Sequence, residues 1–182
     1  MTEPSTFLDT EDILIRLTSV QVRIVHLLLK ILHPATTKEI ERTIHTDYLI
    51  YYSFVEHPKK IDMSKEEEKI RKMAANERLR IKSVAVLNKK YGANIPSYRK
   101  VESELYRLKE LGLVELIEYK TPKARLQSNG YWVLDPLFYQ KWLKRKAEIA
   151  TDLHEKGLDF LKDKYPDRCL EFYRLTKVDV IV

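Results

Sequence analysis

Five side chains with hydrogen-bond donors recur on one side of a predicted helix near the middle of the chain. Helical spacing puts Arg99, Ser103, Tyr106 and Arg107 on a single face, with Lys100 at its edge. Guanidinium, ammonium and hydroxyl groups of this kind contact phosphates and the edges of bases in a major groove. The residue types and their spacing therefore indicate binding to a nucleic acid.

The helix that carries these donors has identifiable ends and an apolar side. Ser97 is a candidate N-cap, and Gly112 supplies the left-handed conformation that commonly stops a helix. Val101, Leu105 and Leu108 repeat at helical spacing on the face opposite the donors. These signals predict a capped amphipathic helix that buries one face and exposes the cationic one.

A β-hairpin is predicted directly after this helix. Residues 113–120 are rich in strand formers, residues 121–130 form a loop, and residues 131–134 form the second strand. Asn129-Gly130 between two strands is a strong signal for a tight turn. The tip of the hairpin then presents three cations, Lys120, Lys123 and Arg125.

Positive charge is concentrated in the part of the chain that holds this helix and hairpin. The 182 residues carry a formal net charge of +6, and residues 59–125 hold 18 basic and 10 acidic side chains. Many single charges on long helices are simply solvated. A basic region that coincides with donor-rich elements nevertheless favours a polyanionic partner.

Two helices are predicted between an N-terminal helix and this basic region. An amphipathic helix over 19–32 is capped by Ser19. Thr36 or Thr37 begins the next helix, which an aromatic cluster over 48–55 extends. The cluster is expected to pack, although exposed aromatic rings also form platforms for single-stranded nucleic acid.

Two long helices complete the prediction. Ser64 with Glu67 forms a capping box that opens a charged helix to about Lys90. Asp135-Pro136 opens the last helix, whose apolar stripe either folds back on its own domain or forms a dimer. We assign dimerisation to six residues of that stripe: Phe138, Trp142, Ile149, Leu153, Phe160 and Leu161.

The chain offers few groups for catalysis or for binding a metal. Its five histidines show no metal-ligand spacing, and no phosphate loop or nucleophile motif is present. The single cysteine, Cys169, is typical of a reducing setting, and no apolar run is long enough to span a bilayer. We therefore expect a cytoplasmic protein that is not an enzyme, needs no cofactor and has no membrane partner. Its many Lys, Glu, Ile and Tyr residues favour a heat-adapted source.

Two stretches resemble the winged helix-turn-helix superfamily of DNA-binding regulators, broadly like its MarR and PadR types. Pro34-Ala-Thr-Thr-Lys-Glu-Ile40 resembles the entry into the second helix of those proteins. Leu105-Tyr-Arg-Leu-Lys-Glu-Leu-Gly-Leu-Val114 resembles the end of their reading helix and the start of the wing. The resemblance implies a fold that is mainly α with a small β-hairpin wing, extended here by long additional helices.

The sequence leaves open which helix comes second in the motif. In those families a short turn joins the second and third helices, whereas about fifty residues separate Ile44 from Ser97. Either residues 47–95 are a helical insertion, or the helix that ends at Gly92 is the second one. Both interpretations leave residues 98–111 as the third helix.

The resemblance implies a homodimeric transcription regulator that binds double-stranded DNA. We predict an N-terminal helix over 1–18, a winged-helix domain over 19–134 and a dimerisation region over 135–182. The third helix is expected in the major groove and the wing on the backbone or minor groove. The residues assigned to DNA are Ser97, Tyr98, Arg99, Lys100, Ser103, Tyr106, Arg107, Lys120, Lys123 and Arg125. The alternative is a protein-interaction module in a replication, transcription or viral assembly, because fold alone does not imply DNA binding.

Overall fold

The structure of the chain is a computed structural model. It describes residues 16–31, 33–58, 62–119, 129–165, 167–168 and 170. These residues are mainly helical, with one two-stranded antiparallel sheet, which confirms the predicted class. The elements are α1 (Ser19–Ile31), α2 (Thr37–Glu56), α3 (Met63–Ala75), α4 (Glu77–Tyr91), α5 (Tyr98–Glu110), β1 (Val114–Tyr119), β2 (Asn129–Leu134) and α6 (Pro136–Lys164). Most of the predicted N-terminal helix lies outside the described residues.

Helices α1, α2 and α5 form the main core together with the sheet. α5 packs against both α1 and α2, and both of those helices also contact β2. Ile24, Ile40 and Leu105 are fully buried, one from each helix. Burying an aliphatic side chain of this size stabilises a fold by about 1.5–3 kcal/mol. The apolar faces of the three helices therefore set the orientation of α5.

Side-chain caps fix where α1 and α2 begin. Thr36 Oγ1 accepts a hydrogen bond from the Glu39 backbone N–H, and the Glu39 carboxylate accepts one from the Thr36 N–H. This capping box confirms the predicted start of α2, which runs on through the aromatic cluster. At α1 the reciprocal hydrogen bonds join Thr18 and Gln21, so the assignment of the cap to Ser19 is wrong by one residue.

The charged helix predicted from Ser64 to about Lys90 is wrong, because the structure has two helices there. Asn76 leaves the helical conformation between α3 and α4, and its Oδ1 accepts a hydrogen bond from the Leu79 N–H. An asparagine side chain competes with backbone hydrogen bonds and so favours a cap over a helix interior. The predicted capping box of α3 does not form either, since Ser64 Oγ donates to Asp62 instead.

Helices α3 and α4 pack on α2 around an apolar cluster of their own. That cluster consists of Leu49, Ile70, Ala74, Val84, Leu87 and Ile95. Lys38 Nζ lies 2.9 Å from Glu77 Oε2, and Lys90 Nζ lies 2.6 Å from Glu56 Oε1. Because these ion pairs join the starts and the ends of α2 and α4, the two helices run in the same direction.

The second strand of the hairpin begins earlier than its sequence signals predict. β1 and β2 pair from Val114 with Leu134 to Tyr119 with Asn129. The tight turn predicted at Asn129-Gly130 is wrong, because both residues belong to β2. A Cβ on Gly130 would lie 2.7 Å from the Leu116 side chain, so glycine here serves close packing within the sheet.

Trp132 ties the hairpin to the segment between α1 and α2. The Ala35 N–H donates to the Trp132 carbonyl at 3.1 Å, and the Trp132 N–H donates to the Ala35 carbonyl at 2.8 Å. The buried indole Nε1 donates to Thr37 Oγ1 at 3.0 Å. These bonds fix the sheet against the start of α2.

The last helix begins as predicted and then breaks. Asp135 Oδ1 accepts a hydrogen bond from the Phe138 N–H at 2.9 Å. Gly157 interrupts α6 with a φ of 81° and a ψ of 175°, a conformation that glycine adopts at little cost. Beyond the break the chain turns back, and Asp152 accepts hydrogen bonds from Lys164 and Tyr165.

The apolar stripe predicted for dimerisation is covered by the chain itself. Four of its six residues are at most 4% exposed within one chain: Phe138, Trp142, Ile149 and Leu161. Leu153 packs on the same core, and the ammonium groups of Lys156 and Lys164 lie over the Phe160 ring. Four of the six residues therefore belong to the core of a single chain, because the break at Gly157 lets the chain cover its own stripe, and the assignment of all six to a dimer interface stays a prediction.

Candidate nucleic-acid interface

The outer face of α5 is open to solvent. Val101, Leu105 and Leu108 have no exposed surface, whereas Tyr98 and Tyr106 are 41% and 47% exposed. Six residues predicted to contact DNA lie together on this surface, which we call the α5 donor face: Tyr98, Arg99, Lys100, Ser103, Tyr106 and Arg107. The same helix thus buries its apolar side and presents its donors outward.

The start of α5 is fixed by side chains on both sides of the preceding turn. Ser97 Oγ accepts a hydrogen bond from the Lys100 N–H at 3.4 Å, as its predicted role as an N-cap requires. The Asn88 side chain accepts from the Ile95 N–H at 2.8 Å and donates to the Ile95 carbonyl at 3.3 Å. The turn is therefore clamped to α4, and α5 begins at a defined position.

A carboxylate lies beneath the donor face. Glu104 has no exposed surface, and its Oε2 accepts a hydrogen bond from Gln21 Nε2 on α1 at 2.7 Å. Its Oε1 lies 2.6 Å from Lys100 Nζ and 3.1 Å from Arg107 Nη1. Burial by itself raises the pKa of Glu104, but the hydrogen bonds from Lys100 and Gln21 and the charge of Arg107 outweigh it and lower the pKa.

Glu104 thereby organises two of the predicted DNA contacts. Lys100 and Arg107 remain 51% and 58% exposed, yet each is tied to the same buried oxygen. Sequence reasoning assigned no role to Glu104. Its spacing of four residues from Lys100 and three from Arg107 was the signal that indicates an ion pair within the helix.

The donor face also contacts the sheet. The rings of Tyr106 and Trp132 meet edge to face, with centroids 5.2 Å apart. Aromatic pairs of this geometry stabilise a contact by about 0.5–1.5 kcal/mol beyond the area they bury. Because Trp132 is also hydrogen-bonded to Thr37, the contact links α5 to both β2 and α2.

Sequence reasoning missed a second buried ionic group, between α2 and α4. Arg80 is 1% exposed; its Nη2 lies 3.5 Å from Glu41 Oε2, and its Nη1 donates to the Ala74 carbonyl at 2.9 Å. His45, one turn after Glu41, donates from Nε2 to the Pro96 carbonyl at 2.7 Å. The group therefore joins α2 and α4 to the turn that precedes α5.

The surroundings of His45 favour its uncharged form. Burial lowers the pKa of His45, and the Arg80 charge lowers it further, against the opposing effects of the Pro96 carbonyl and Glu41. In the described part of the chain, His45 Nδ1 has no hydrogen-bond partner. A proton placed on that nitrogen would be buried without an acceptor, which explains why the uncharged form is favoured.

The predicted wing cations lie outside the described residues. Lys120, Lys123 and Arg125 belong to the segment between β1 and β2 that the structure does not describe. Within the described ranges, no cluster of three or more His, Cys, Asp or Glu side chains is arranged to hold a metal ion. No helix in those ranges combines the length and apolarity needed to cross a bilayer.

Comparison with known proteins leaves the site to be judged on its own geometry. No protein family matches the chain, no curated protein matches it, and no solved structure matches it. The functional interpretation therefore depends on the donor face, the buried carboxylate beneath it and the elements that position them.

Proposed function

We propose that the protein is a DNA-binding transcription regulator of winged-helix type that reads the major groove with α5. The observation that carries this proposal is the α5 donor face, where six donor side chains face solvent on a helix whose opposite side is the core. Side chains of these types contact phosphates and base edges. The face spans the length of one helix, which is the element that a major groove admits.

The order of elements supports the winged-helix part of the proposal. Along the chain, α1 is followed by a short bridging segment at Ala35 and by α2, and after the two further helices α3 and α4 come α5 and the hairpin. We assign α2 as the second helix of the motif, because α2 packs with both α1 and α5. Helices α3 and α4 are then an insertion that packs on α2, and the hairpin is the wing.

The cations of the donor face differ in how firmly the protein holds them. Lys100 and Arg107 are held by Glu104, so their positions are set before DNA arrives. Arg99 has no ion-pair partner among the described residues and is open to solvent. We assign base reading to Arg99 and Arg107, since arginine can bind guanine with two parallel hydrogen bonds.

Binding of labelled duplex DNA, measured by fluorescence anisotropy, tests the proposal. Affinity should fall steeply with added salt if phosphate contacts dominate. Arg99→Ala and Arg107→Ala should each cost about 1–3 kcal/mol and relax selectivity at one base position. Lys69→Ala, which removes an exposed cation on α3, is the matched control. A flat salt dependence, or unchanged binding in both arginine variants, would contradict the assignment.

One observation favours the second candidate function, a protein-interaction module. Tyr98, Tyr106 and Leu111 are 41%, 47% and 42% exposed, and large apolar side chains of this kind also contact proteins. A mobility-shift assay with mixed duplex DNA separates the candidates, because only the regulator retards the duplex.

Homodimer formation is part of the proposal, although four of the six stripe residues on α6 are buried within one chain. Sedimentation velocity with and without a duplex that contains two half-sites measures the oligomeric state directly. A complex of two chains per duplex is the expected result.

A further inference from the structure

The outer side of α4 combines exposed cations with exposed apolar side chains. Six residues form this surface, which we call the α4 outer face: Arg78, Leu79, Ile81, Lys82, Val86 and Lys89. The three cations lie within an arc of about 40° on a wheel of 3.6 residues per turn. The three apolar side chains flank that arc, and they are 48%, 49% and 55% exposed.

The cations of this face are not neutralised by the described part of the chain. Arg78, Lys82 and Lys89 have no ion-pair partner among the described residues, and Glu77, the only acidic residue of α4, pairs with Lys38 on α2. Helix α3 differs, because Arg71 and Lys72 pair with glutamates four residues earlier, at 2.6 Å and 2.7 Å. The α4 outer face therefore has an uncompensated positive field.

The opposite side of α4 holds the helix firmly. Arg80 is buried against Glu41, Asn88 clamps the following turn, and Lys90 pairs with Glu56. A surface that is already fixed loses less conformational entropy when a partner binds. The α4 outer face is thus preorganised for contact, and it lies on the inserted part of the chain.

The charges and the apolar side chains of the α4 outer face together restrict the kind of partner that fits it. The same face of a second copy of this chain would bring three cations against three cations, which repel. A phosphate backbone matches the cations but offers nothing to cover Leu79, Ile81 and Val86. A helix with carboxylates along its centre and apolar residues beside them satisfies both parts, since burying apolar surface is favourable.

We propose that the α4 outer face binds an acidic amphipathic helix of a partner protein. Three carboxylates along the partner match the rise of α4 when the second lies about 6 Å and the third about 16.5 Å from the first, as Lys82 and Lys89 do from Arg78. The interaction does not depend on the proposed DNA binding, because it uses a different helix and a different ligand.

The probe is a synthetic helical peptide of about sixteen residues, long enough to hold a helix in water, with a line of glutamates flanked by leucines. Its binding to the ¹⁵N-labelled full chain is followed by chemical-shift perturbation and anisotropy. We expect shifts in the amides of α4 and an affinity that falls about tenfold or more in Arg78→Glu/Lys82→Glu/Lys89→Glu.

Two matched controls test whether a loss of peptide affinity comes from the α4 outer face or from a general change in net charge or surface hydrophobicity. Lys65→Glu/Lys69→Glu/Lys72→Glu makes the same change in net charge on α3 and should lower peptide affinity clearly less than the α4 variant does, since charges outside the contact are screened by solvent and salt. Leu79→Ser/Val86→Ser should also weaken binding, whereas Leu143→Ser/Leu158→Ser removes comparably exposed side chains on α6 and should not.

Four outcomes overturn the proposal. The first two are that the peptide shifts no amide resonance of α4, and that the α3 and α4 charge variants lose peptide affinity equally. The other two are that Leu79→Ser/Val86→Ser binds the peptide unchanged, and that duplex DNA but not the peptide shifts the α4 amides. Peptide binding that persists in Arg99→Ala/Arg107→Ala supports it even if DNA binding is lost. Failure of the proposed DNA binding by α5 can therefore be told apart from failure of the proposed peptide binding by α4.

Discussion

Helices α4 and α5 both present cations to solvent and both bury one charge, but the buried charges have opposite signs. In α4 the buried group is a guanidinium, Arg80, whose partner Glu41 is on α2. In α5 it is a carboxylate, Glu104, whose partners Lys100 and Arg107 are on the outer side of the same helix. A buried base therefore anchors α4 to its neighbour, whereas a buried acid organises the surface of α5.

This difference has a consequence for the two surfaces. The cations of the α4 outer face are unpaired among the described residues, and their charge is fully available to a partner. Two cations of the α5 donor face share Glu104, which reduces their net charge but fixes their geometry. Fixed geometry suits the reading of a base pattern, while free charge suits attraction to an acidic surface.

Breaking the Arg80 pair should have the largest effect. Arg80→Met leaves Glu41 buried without its partner, and we expect the free energy of unfolding to fall by about 3–5 kcal/mol, as measured by urea denaturation. The double variant Arg80→Met/Glu41→Leu removes both charges and should recover most of that loss. A single variant as stable as the wild type would show that the pair does not anchor α4.

Removing the charge beneath the donor face should cost less. Glu104→Gln keeps a side chain of the same shape but loses two ion pairs, and we expect a loss of about 1–3 kcal/mol in the free energy of unfolding. Glu110→Gln, an exposed change in the same helix, should lie within about 0.5 kcal/mol of the wild type. Equal effects of the two variants would contradict the organising role of Glu104.

The titration of His45 should give a smaller, pH-dependent loss. Unfolded His45 binds a proton near pH 6.5, whereas the folded state resists it because burial and Arg80 lower the pKa. The unfolded state therefore binds more protons, and stability should decrease as the pH falls below about 6.5. His45→Gln retains a donor for Pro96 but cannot titrate, so denaturation curves of this variant should lose that part of the pH dependence.

The smallest effect is expected on α3. Lys72→Ala removes an ion pair whose partners are 75% and 65% exposed, and we expect a change below about 0.5 kcal/mol in the free energy of unfolding. A loss of stability as large as that in Arg80→Met would show that the exposed Lys72–Glu68 pair stabilises the fold as much as the buried Arg80–Glu41 pair.

Local signals in the sequence predicted much of the fold. The caps at Thr36, Ser97 and Asp135 and the glycine stop at Gly112 depend on neighbouring residues, and the structure has all four. The outward face of α5 was predictable for the same reason, since the apolar spacing of one helix defines its opposite side.

Several differences between prediction and structure arise where a contact with another element decides the outcome. Gly130 lies within a strand because it packs on Leu116. The stripe of α6 is buried because the chain reverses at Gly157. Glu104 is buried because α1 supplies Gln21 as its partner. Arg80 is buried because α2 supplies Glu41. No local pattern identifies such a partner.

The contact between Tyr106 and Trp132 gives the molecule an internal optical reporter. The chain has two tryptophans, so Trp142→Phe leaves Trp132 as the only tryptophan, whose emission can be excited apart from that of the tyrosines. Its emission depends on the polarity and ring contacts around it, and the ring of Tyr106 in the donor face meets it edge to face. Occupation of that face should therefore be visible as a change in intrinsic fluorescence, without any attached dye.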